Sequence, residues 1–275
     1  MKITELEKIE IDLLLQGIFL RYGYDFSEYS YASIKRRLSN RIEHENLSHF
    51  SELLPKVLHN EEFFNHFLSD LSVGVTEFFR NPSFFLYIRE RIIPILKSYP
   101  FIKIWHAGCS TGEEAYSMAI VLAEEQFYER AHVYATDFNS RSLEIAREGI
   151  YALPSIQDAK ENYLQSGGKN QFEHYYHSKY KSVKFHNSIK KNIIFSYHNL
   201  VTDSSFGEMN MIVCHNVLIY FNRNLQNKVL KLFQNSLCFG GFLCLGDKET
   251  IEYSDVSKQF ELISKKNKIY KKITN

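Results

Sequence analysis

Residues 104–114 read Ile-Trp-His-Ala-Gly-Cys-Ser-Thr-Gly-Glu-Glu, and this stretch decides the fold. The apolar segment 101–106 predicts a short buried strand, and apolar residues at helical spacing after Glu113 predict a helix. The turn between the two is bounded by Gly108 and Gly112. A strand-to-helix turn with two glycines lets a ligand approach the backbone, with helix amide groups behind it. The stretch therefore predicts an α/β sheet, and at this turn either a small-ligand site or an ordinary tight turn.

Acidic residues near this turn indicate which ligand it suits. Glu113 at the exit of the turn disfavours a phosphate and favours an ammonium or sulfonium group, as in S-adenosylmethionine. The Gly-x-x-x-Gly spacing also matches neither the dinucleotide pattern nor the phosphate-loop pattern. Asp137 follows the next predicted strand, where open α/β sheets bind a ribose diol, although it is also placed to cap a helix beginning near Ser140. The candidate cofactor-binding residues here are Ala107, Gly108, Glu113 and Asp137.

Strand and helix patterns alternate from about residue 73 to the end of the chain. The predicted strands are 101–106, 132–136, 192–197, 209–214 and 240–245, and the predicted helices are 113–127, 140–148 and 223–237. The segments beginning at Phe260 and Lys268 predict a terminal antiparallel hairpin. Residues 160–192, with seven lysines and two acids, interrupt the alternation and predict either a partner-binding insert or a solvated one. The pattern is typical of a doubly wound, Rossmann-like sheet with a reversed edge.

Residues 1–72 have helical apolar spacing only and predict a separate all-α domain. Leu13, Leu14, Ile18 and Phe19 form the first apolar stripe of this region. The predicted domains are therefore a helical domain, 1–72, and an α/β domain, 73–275, with an inserted subdomain at about 160–194.

Composition limits the classes of function. The net charge of +1 gives no argument for nucleic acid or for a membrane surface, and no apolar run is long enough to span a bilayer. The N-terminus lacks the apolar core of a signal peptide. Four cysteines without a Cys-x-x-Cys pair favour a reducing compartment, and eleven histidines show no metal-ligand spacing. We expect a cytoplasmic, metal-free protein that binds neither nucleic acid nor a membrane.

Six short motifs follow one another along nearly the whole chain. They are Val75-Thr-Glu-Phe-Phe-Arg80, Trp105–Glu114, Ala135-Thr-Asp137, Gly149-Ile-Tyr151, Asn199-Leu200, and Cys214-His-Asn-Val-Leu-Ile-Tyr-Phe221. With these motifs the chain resembles the CheR family of chemotaxis-receptor glutamate methyltransferases. The resemblance implies transfer of a methyl group from S-adenosylmethionine to receptor glutamates, by an all-α domain followed by a methyltransferase domain with a small inserted β-subdomain.

The resemblance also adds residues to the predicted cofactor site. These are Thr76, Arg80, Asn199, Leu200, His215 and Asn216. Thr76 has an alternative role as the N-cap of a helix beginning at Glu77. The chain departs from the family pattern at three places: His215 stands in place of an arginine, Gly74 in place of an asparagine, and Asp247-Lys248 in place of His-Ser.

The chemistry of glutamate methylation sets the expected catalytic residues. A glutamate is already ionised at neutral pH, so methyl transfer to it needs no general base. Arg80 is the predicted clamp for the substrate carboxylate through its planar fork, with an ordinary surface arginine as the alternative. Tyr220 is predicted to orient that carboxylate through its hydroxyl. Phe78, Phe79, Tyr220 and Phe221 are predicted to form apolar walls that exclude water.

A basic cluster in the helical region indicates a partner. Lys35, Arg36, Arg37 and Arg41 fall within eight residues that contain no acid. Such a cluster either steers the acidic methylation helices of a receptor or forms a solvated face. We expect a monomer. Two alternatives stay open: an RNA methyltransferase, which the lysine-rich insert suits, and a cofactor-binding signalling adaptor without turnover, which His215 favours.

Overall fold

The computed structural model describes residues 5–71 and 76–274. The chain divides by internal contacts into two units, Met1–Gly74 with Ile219–Lys228, and Val75–Leu218 with Val229–Asn275. They are called the helical unit and the sheet unit below. The predicted boundary at 72/73, Gly74 and Val75 lie outside the described residues. Within the described part of the chain, no helix is long and apolar enough to cross a membrane.

Within residues 5–71, the helical unit has four helices that enclose a small apolar core. The helices are α1 Glu5–Tyr22, α2 Tyr31–Glu45, α3 Leu53–His59 and α4 Glu61–Leu71, with a 3-10 turn at Phe50–Glu52. Helix α2 ends where Asn46 takes the left-handed conformation that often closes helices. The buried core residues include Ile11, Leu14, Ile18, Ile34, Leu38, Leu53, Val57, Phe64, Phe67 and Leu68. The all-α character predicted for this region is confirmed.

The stripe predicted for α1 is partly wrong. Leu14 and Ile18 are buried together with Ile11, whereas Leu13 and Phe19 are 53% and 50% exposed. The buried residues follow helical spacing, so α1 turns one narrow face to its neighbours and leaves other apolar side chains outside. Sequence spacing alone did not distinguish these two apolar faces.

The sheet unit contains two sheets. The strands are β1 Ile102–Ala107, β2 Ala131–Asp137, β3 Ile150–Ala152, β4 Tyr176–Lys179, β5 Ser182–Phe185, β6 Ile193–Tyr197, β7 Met209–Cys214, β8 Leu237–Leu245, β9 Phe260–Ser264 and β10 Ile269–Lys272. The main sheet has the order β6-β2-β1-β7-β8-β10-β9, and its first five strands are parallel. Strand β10 runs antiparallel to β8 and β9. The doubly wound sheet with a reversed edge is confirmed.

Helices connect and cover these strands. They are α5 Pro82–Tyr87, which continues through a π-helical segment Ile88–Ile92 into α6 Ile93–Leu96, then α7 Glu113–Glu124, α8 Ser140–Glu148, α9 Leu153–Gln165, α10 Asn187–Lys190 and α11 Arg223–Ser236. Strand β1 pairs with β2 in register from Ile102 opposite Ala131 to Ala107 opposite Thr136. Their carboxyl ends therefore lie side by side, which is where open α/β sheets bind ligands.

The inserted subdomain is a small antiparallel sheet. Its strand order is β3-β5-β4, and β5 pairs antiparallel with both neighbours. The sheet takes its first strand from Ile150–Ala152, ahead of the predicted start near residue 160. The buried aromatic rings of Phe172, Tyr175 and Phe185 belong to the same apolar core as the main sheet.

Candidate functional site

The turn after β1 is fixed by backbone bonds and by two glycines. The amide of Gly108 donates to the carbonyl of Thr136 at 2.8 Å, which joins the ends of β1 and β2. Gly108 and Gly112 have φ angles of 76° and 93°. A Cβ atom would lie 2.6 Å from Val217 Cγ2 at the first position and 2.9 Å from Ala146 Cβ at the second. Both positions therefore require glycine, for conformation and for space.

Asp137 is held at this turn by backbone amides. Its Oδ2 accepts from the Ser110 amide at 2.8 Å and its Oδ1 from the Asn139 amide at 2.9 Å. Burial raises the pKa of Asp137, and these bonds offset part of that rise. The cap of α8 is Asn139, whose side chain accepts from the amides of Arg141 and Ser142. The alternative role of Asp137 as that helix cap is therefore wrong.

Glu113 places a second buried carboxylate beside the turn. The residue is 9% exposed, and its Oε2 accepts from the Thr111 hydroxyl at 2.7 Å. Burial raises the pKa of Glu113 to about 7. Within residues 5–71 and 76–274, neither Glu113 nor Asp137 forms an ion pair. A cationic ligand with a diol would satisfy both carboxylates.

One buried donor at the turn also fits a ligand. The Ser110 hydroxyl is buried and has no hydrogen-bond partner among the described residues. The backbone of Ser110 is left-handed, with φ of 49°. An unsatisfied buried hydroxyl costs free energy that a bound polar molecule would recover. The turn is thus compatible with the ribose and amino groups of S-adenosylmethionine.

Arg80 follows a strained backbone that is tied to α7. Its neighbours Phe79 and Asn81 both have positive φ, 53° and 58°, which is unusual for a bulky aromatic residue. The amide of Phe79 donates to the Ser117 hydroxyl at 2.9 Å, and that hydroxyl donates to the carbonyl of Glu113 at 2.8 Å. The half-buried Arg80 is therefore positioned relative to the helix turn that carries Glu113. Strain of this kind occurs often at functional sites.

The two phenylalanines of the signature support this segment from the core. Phe78 and Phe79 are 1% and 0% exposed. The Phe78 ring stacks on Phe185 with centroids 5.0 Å apart, and the Phe79 ring meets Tyr163 edge-on at 5.2 Å. They were predicted as apolar walls that exclude water, and the structure packs their rings into the apolar core. Their contribution is to hold Arg80 in place.

Three more predicted residues flank the site in the sheet unit. Thr76 is half-buried, and because α5 begins at Pro82, its alternative role as the cap of a helix starting one residue later is wrong. Asn199 and Leu200 are 6% and 8% exposed. They directly follow His198, whose amide donates to the carbonyl of Asp137 at 3.2 Å. The dipeptide therefore lies next to the end of β2.

His215 belongs to a buried cluster with one carboxylate. Its Nδ1 lies 2.8 Å from Glu114 Oε2, and Nδ1 of His106 lies 3.1 Å from Glu114 Oε1. Burial lowers the pKa of His215, but the charge and hydrogen bond of Glu114 outweigh it and raise the pKa above 6.5. Burial also opposes ionisation of Glu114, yet both histidines hold its pKa well below its usual range. His215 is therefore buried beside a carboxylate, and not among apolar side chains alone.

Asn216 lies in the loop after β7 and has a left-handed conformation, with φ of 60°. Its amide donates to Glu249 Oε2 at 3.0 Å, and the amide of Gly246 donates to the same oxygen at 2.6 Å. Glu249 is 4% exposed and thus links the ends of β7 and β8. Neither Glu249 nor Glu114 was among the predicted site residues. Glu114 stands beside Glu113 in sequence, and this doubled acid was the available signal.

Tyr220 is placed by contacts within the helical unit. The guanidinium carbon of Arg37 lies 4.4 Å from the centre of its ring. Its carbonyl accepts from the amide of Ser30 at 2.7 Å. The neighbouring Phe221 ring meets Tyr29 edge-on at 5.0 Å. The structure thus gives Tyr220 and Phe221 packing roles in this unit, and their predicted part in the reaction stays a prediction.

The basic cluster on α2 is mostly used internally, which corrects the prediction of a docking face with four cations. Lys35 pairs with a glutamate of α1 at 2.7 Å, and Arg41 pairs with an aspartate of α4 at 2.8 Å. Arg37 is 9% exposed and stacks on the ring described above. Arg36 is exposed. Buried and paired cations contribute little to steering a partner, so Arg36 is the member of the four best placed to do so.

Comparison with known proteins agrees with this fold. Two family models match, the CheR methyltransferase all-alpha domain over residues 9–72 and the CheR methyltransferase SAM binding domain over residues 74–269. The chain is 46% identical to Cher3 of Pseudomonas putida over 264 residues, covering 96% of this chain and 97% of that protein. It is 30% identical to the chemotaxis protein methyltransferase of Borreliella burgdorferi over 260 residues, covering 89% of each chain.

Among solved structures, the chain aligns with PKMT2 from Rickettsia typhi in complex with AdoHcy, with a TM-score of 0.34 and 16% identity. This alignment covers 62% of this chain and 26% of that chain. The two family models together span most of this sequence, so the chain belongs to the CheR methyltransferase family. It is a methyltransferase that depends on S-adenosylmethionine.

Proposed function

We propose that the protein transfers a methyl group from S-adenosylmethionine to glutamate side chains of chemotaxis-type receptors. The products are glutamate methyl esters and S-adenosylhomocysteine. The observation that carries the proposal is the pair of buried carboxylates at one turn, Glu113 and Asp137, with the Arg80 segment bonded to the same helix turn. The names of relatives, which include chemotaxis protein methyltransferases, support the receptor as substrate.

The proposed cofactor site uses the turn and the adjoining strand ends. Asp137 would accept from the ribose hydroxyls, and Glu113 would pair with the ammonium group. The backbone at Ala107 and Gly108 would lie against the cofactor, and Asn199 with Leu200 would flank the adenine. When bound, the cofactor supplies an electrophilic methyl group on a sulfonium. Thr76, His215 and Asn216 stay proposed members of this site.

The proposed role of Arg80 follows from the charge of the substrate. A glutamate carboxylate is the nucleophile, and a planar guanidinium can hold it by two parallel hydrogen bonds. The strained backbone at Phe79 and the bond from its amide to the Ser117 hydroxyl hold the Arg80 segment against α7, which favours a near-attack geometry. Because opposite charges are neutralised in the reaction, the site gains from excluding water, and the packed rings of Phe78 and Phe79 keep that side dry.

Labelled methyl transfer tests the proposal. The full chain is incubated with tritiated S-adenosylmethionine and the cytoplasmic fragment of a candidate receptor from the same genome. Label on the receptor that resists ribonuclease and is released by mild base, as methyl esters are, would support the proposal. Ribonuclease-sensitive label would favour an RNA methyltransferase. Cofactor binding without transfer to any receptor fragment would favour the signalling adaptor. The proposal places the protein in the cytoplasm, where these receptor regions lie.

A further inference from the structure

Helix α1 has a second apolar face that points away from the core of the helical unit. The buried face consists of Ile11, Leu14 and Ile18. Leu6, Ile9, Leu13 and Leu20 are 62%, 51%, 53% and 75% exposed. At 3.6 residues per turn, these four and Gln16 fall within an arc of about 80°, on the side opposite the buried residues. A patch of four large exposed aliphatic side chains on one helix indicates an interaction surface.

The spacing of this face identifies the shape of its partner. Positions 6, 9, 13, 16 and 20 are separated by three and four residues in alternation, which is the a and d pattern of a heptad repeat. Such a seam accepts the side chains of another helix packed nearly parallel or antiparallel to α1. We call this set of residues the α1 seam. Its geometry favours a helix over an extended peptide or a loop.

Charges beside the α1 seam identify the chemistry of its partner. The flanking e and g positions are Glu5, Glu10, Asp12, Gly17 and Phe19, so three are acidic and none is basic. Lys8 and Arg21, the cations of α1, fall at the c and b positions, away from the seam. Flanking charges in paired helices select partners of opposite sign. A helix with lysines or arginines at its own flanking positions is therefore complementary.

A cleft of about 360 Å³ adjoins the α1 seam on the side of Asp12. Its lining includes Asp12 and Phe19 of α1 together with Asp25, Phe26, Tyr29 and Tyr31. The cleft combines two carboxylates with aromatic rings, and the Tyr31 hydroxyl is buried with no hydrogen-bond partner in the part of the chain that the structure describes. A lysine or arginine suits such a cleft, because its stem covers apolar surface while its cation reaches a carboxylate.

We propose that the α1 seam is a docking surface for an amphipathic helix with basic flanks on another protein. A second copy of this chain is a poor occupant, because pairing two seams would place acids against acids. The acidic methylation helices expected of a receptor substrate are disfavoured for the same reason. The seam would therefore recruit a second protein, independently of the substrate and of the cofactor turn.

Binding of designed peptides to the full chain tests the proposal. The probe is a fluorescent three-heptad peptide with leucine at a and d and lysine at e and g. Its matched control has glutamate at e and g. Fluorescence anisotropy should show at least tenfold tighter binding of the lysine peptide. Leu13→Glu should abolish that binding, and Asp12→Lys should weaken it and favour the glutamate peptide. Leu164→Glu, at an α9 position that is 66% exposed, is the control for general stickiness.

Several results would overturn the proposal. Equal affinity for both peptides, or an effect of Leu164→Glu equal to that of Leu13→Glu, would show nonspecific apolar binding. A dimer of the wild type that Leu13→Glu dissociates in sedimentation experiments would assign the seam to a second copy. Binding to zwitterionic vesicles that Leu13→Glu removes, without peptide binding, would assign it to a lipid surface. Circular dichroism of each variant confirms that the helices remain, since both substituted α1 positions are exposed.

Discussion

Replacing Glu113 by glutamine should stabilise the cofactor-free protein while it destroys the cofactor site. Glutamine has the same shape and keeps an oxygen that can accept from the Thr111 hydroxyl, which is 2.7 Å from the carboxylate. It cannot ionise, so the buried charge is removed. If Glu113 contributed to stability, its replacement would instead lower the free energy of unfolding, so the variant distinguishes a functional from a structural role.

The magnitude follows from the pKa of Glu113, which burial raises from 4.5 to about 7. An acid with a raised pKa in the folded state binds protons more tightly there, so its ionisation reduces stability as pH rises from 4.5 to about 7. At 1.36 kcal/mol per pKa unit, the loss above pH 7 is about 3 kcal/mol. The variant should therefore exceed the wild type by up to about 3 kcal/mol near pH 8, and by little near pH 5.

Binding should depend on pH in the opposite direction. With a pKa near 7, about one tenth of Glu113 is ionised one unit below that value and about nine tenths one unit above it. Wild-type affinity for S-adenosylhomocysteine should therefore rise about tenfold from pH 6 to pH 8, if the carboxylate binds the ammonium group. Glu113→Gln should bind weakly at both pH values, without this dependence.

Urea unfolding without cofactor and calorimetric titration with S-adenosylhomocysteine measure the two effects. Glu144→Gln makes the same chemical change at an exposed position of α8 and should alter neither quantity. Unchanged stability near pH 8 together with unchanged affinity in Glu113→Gln would refute the reasoning. If Glu113→Gln were more stable but bound S-adenosylhomocysteine as tightly as the wild type, Glu113 would be a destabilising buried acid that does not contact the cofactor.

Five further variants test the rest of the site and the basic cluster on α2. Asp137→Ala should weaken S-adenosylhomocysteine binding at least tenfold in calorimetry, about 1.4 kcal/mol for lost ribose contacts, and unchanged affinity would remove it from the site. Arg80→Ala should abolish receptor methylation with an intact circular dichroism spectrum; more than half of wild-type turnover would contradict the clamp. Arg36→Glu should reduce receptor capture modestly at low salt, whereas Arg37→Glu should lower the melting temperature, because only the second is buried. Burial lowers the pKa of His215, but Glu114 outweighs burial and raises that pKa above 6.5. The contribution of His215 to stability is therefore lost as pH rises past the raised pKa. His215→Arg should reduce this loss, as measured by melting temperatures near pH 6 and pH 8.

The sheet and its helices followed closely from local sequence pattern. Strand 209–214 and helix 140–148 agree with β7 and α8 at both ends. Continuous apolar runs identify buried parallel strands, and Asn139 supplies a cap that marks the start of α8. The two glycines of the turn also predicted the structure locally. Each has a left-handed backbone with no room for a Cβ atom, and only glycine meets both conditions.

Contacts between distant segments could not be predicted in the same way. Glu114 and His215 are 101 positions apart, and nothing in the local pattern of either indicates the other. The prediction for the basic cluster was wrong partly for the same reason, because Lys35 pairs with an acid of α1 and Arg41 with an acid of α4. Arg41 also pairs with Glu45 four residues along α2, and that local pair was visible in the sequence. A helix propensity shows that a segment is helical, but tertiary packing decides which of its faces is covered.

The histidine at position 215 was the feature that most favoured a protein without turnover, and its surroundings weaken that argument. An arginine at this position would meet the carboxylate of Glu114, which now receives one imidazole on each oxygen, from His106 at 3.1 Å and from His215 at 2.8 Å. His215, whose pKa this carboxylate raises, can thus take the place of a guanidinium as its partner, while His106 contacts the other oxygen. Glu114 stays ionised because both imidazoles outweigh its burial. The departure from the family pattern therefore changes the pH range over which this charge is balanced, and leaves the adjoining turn with Glu113 and Gly112 intact.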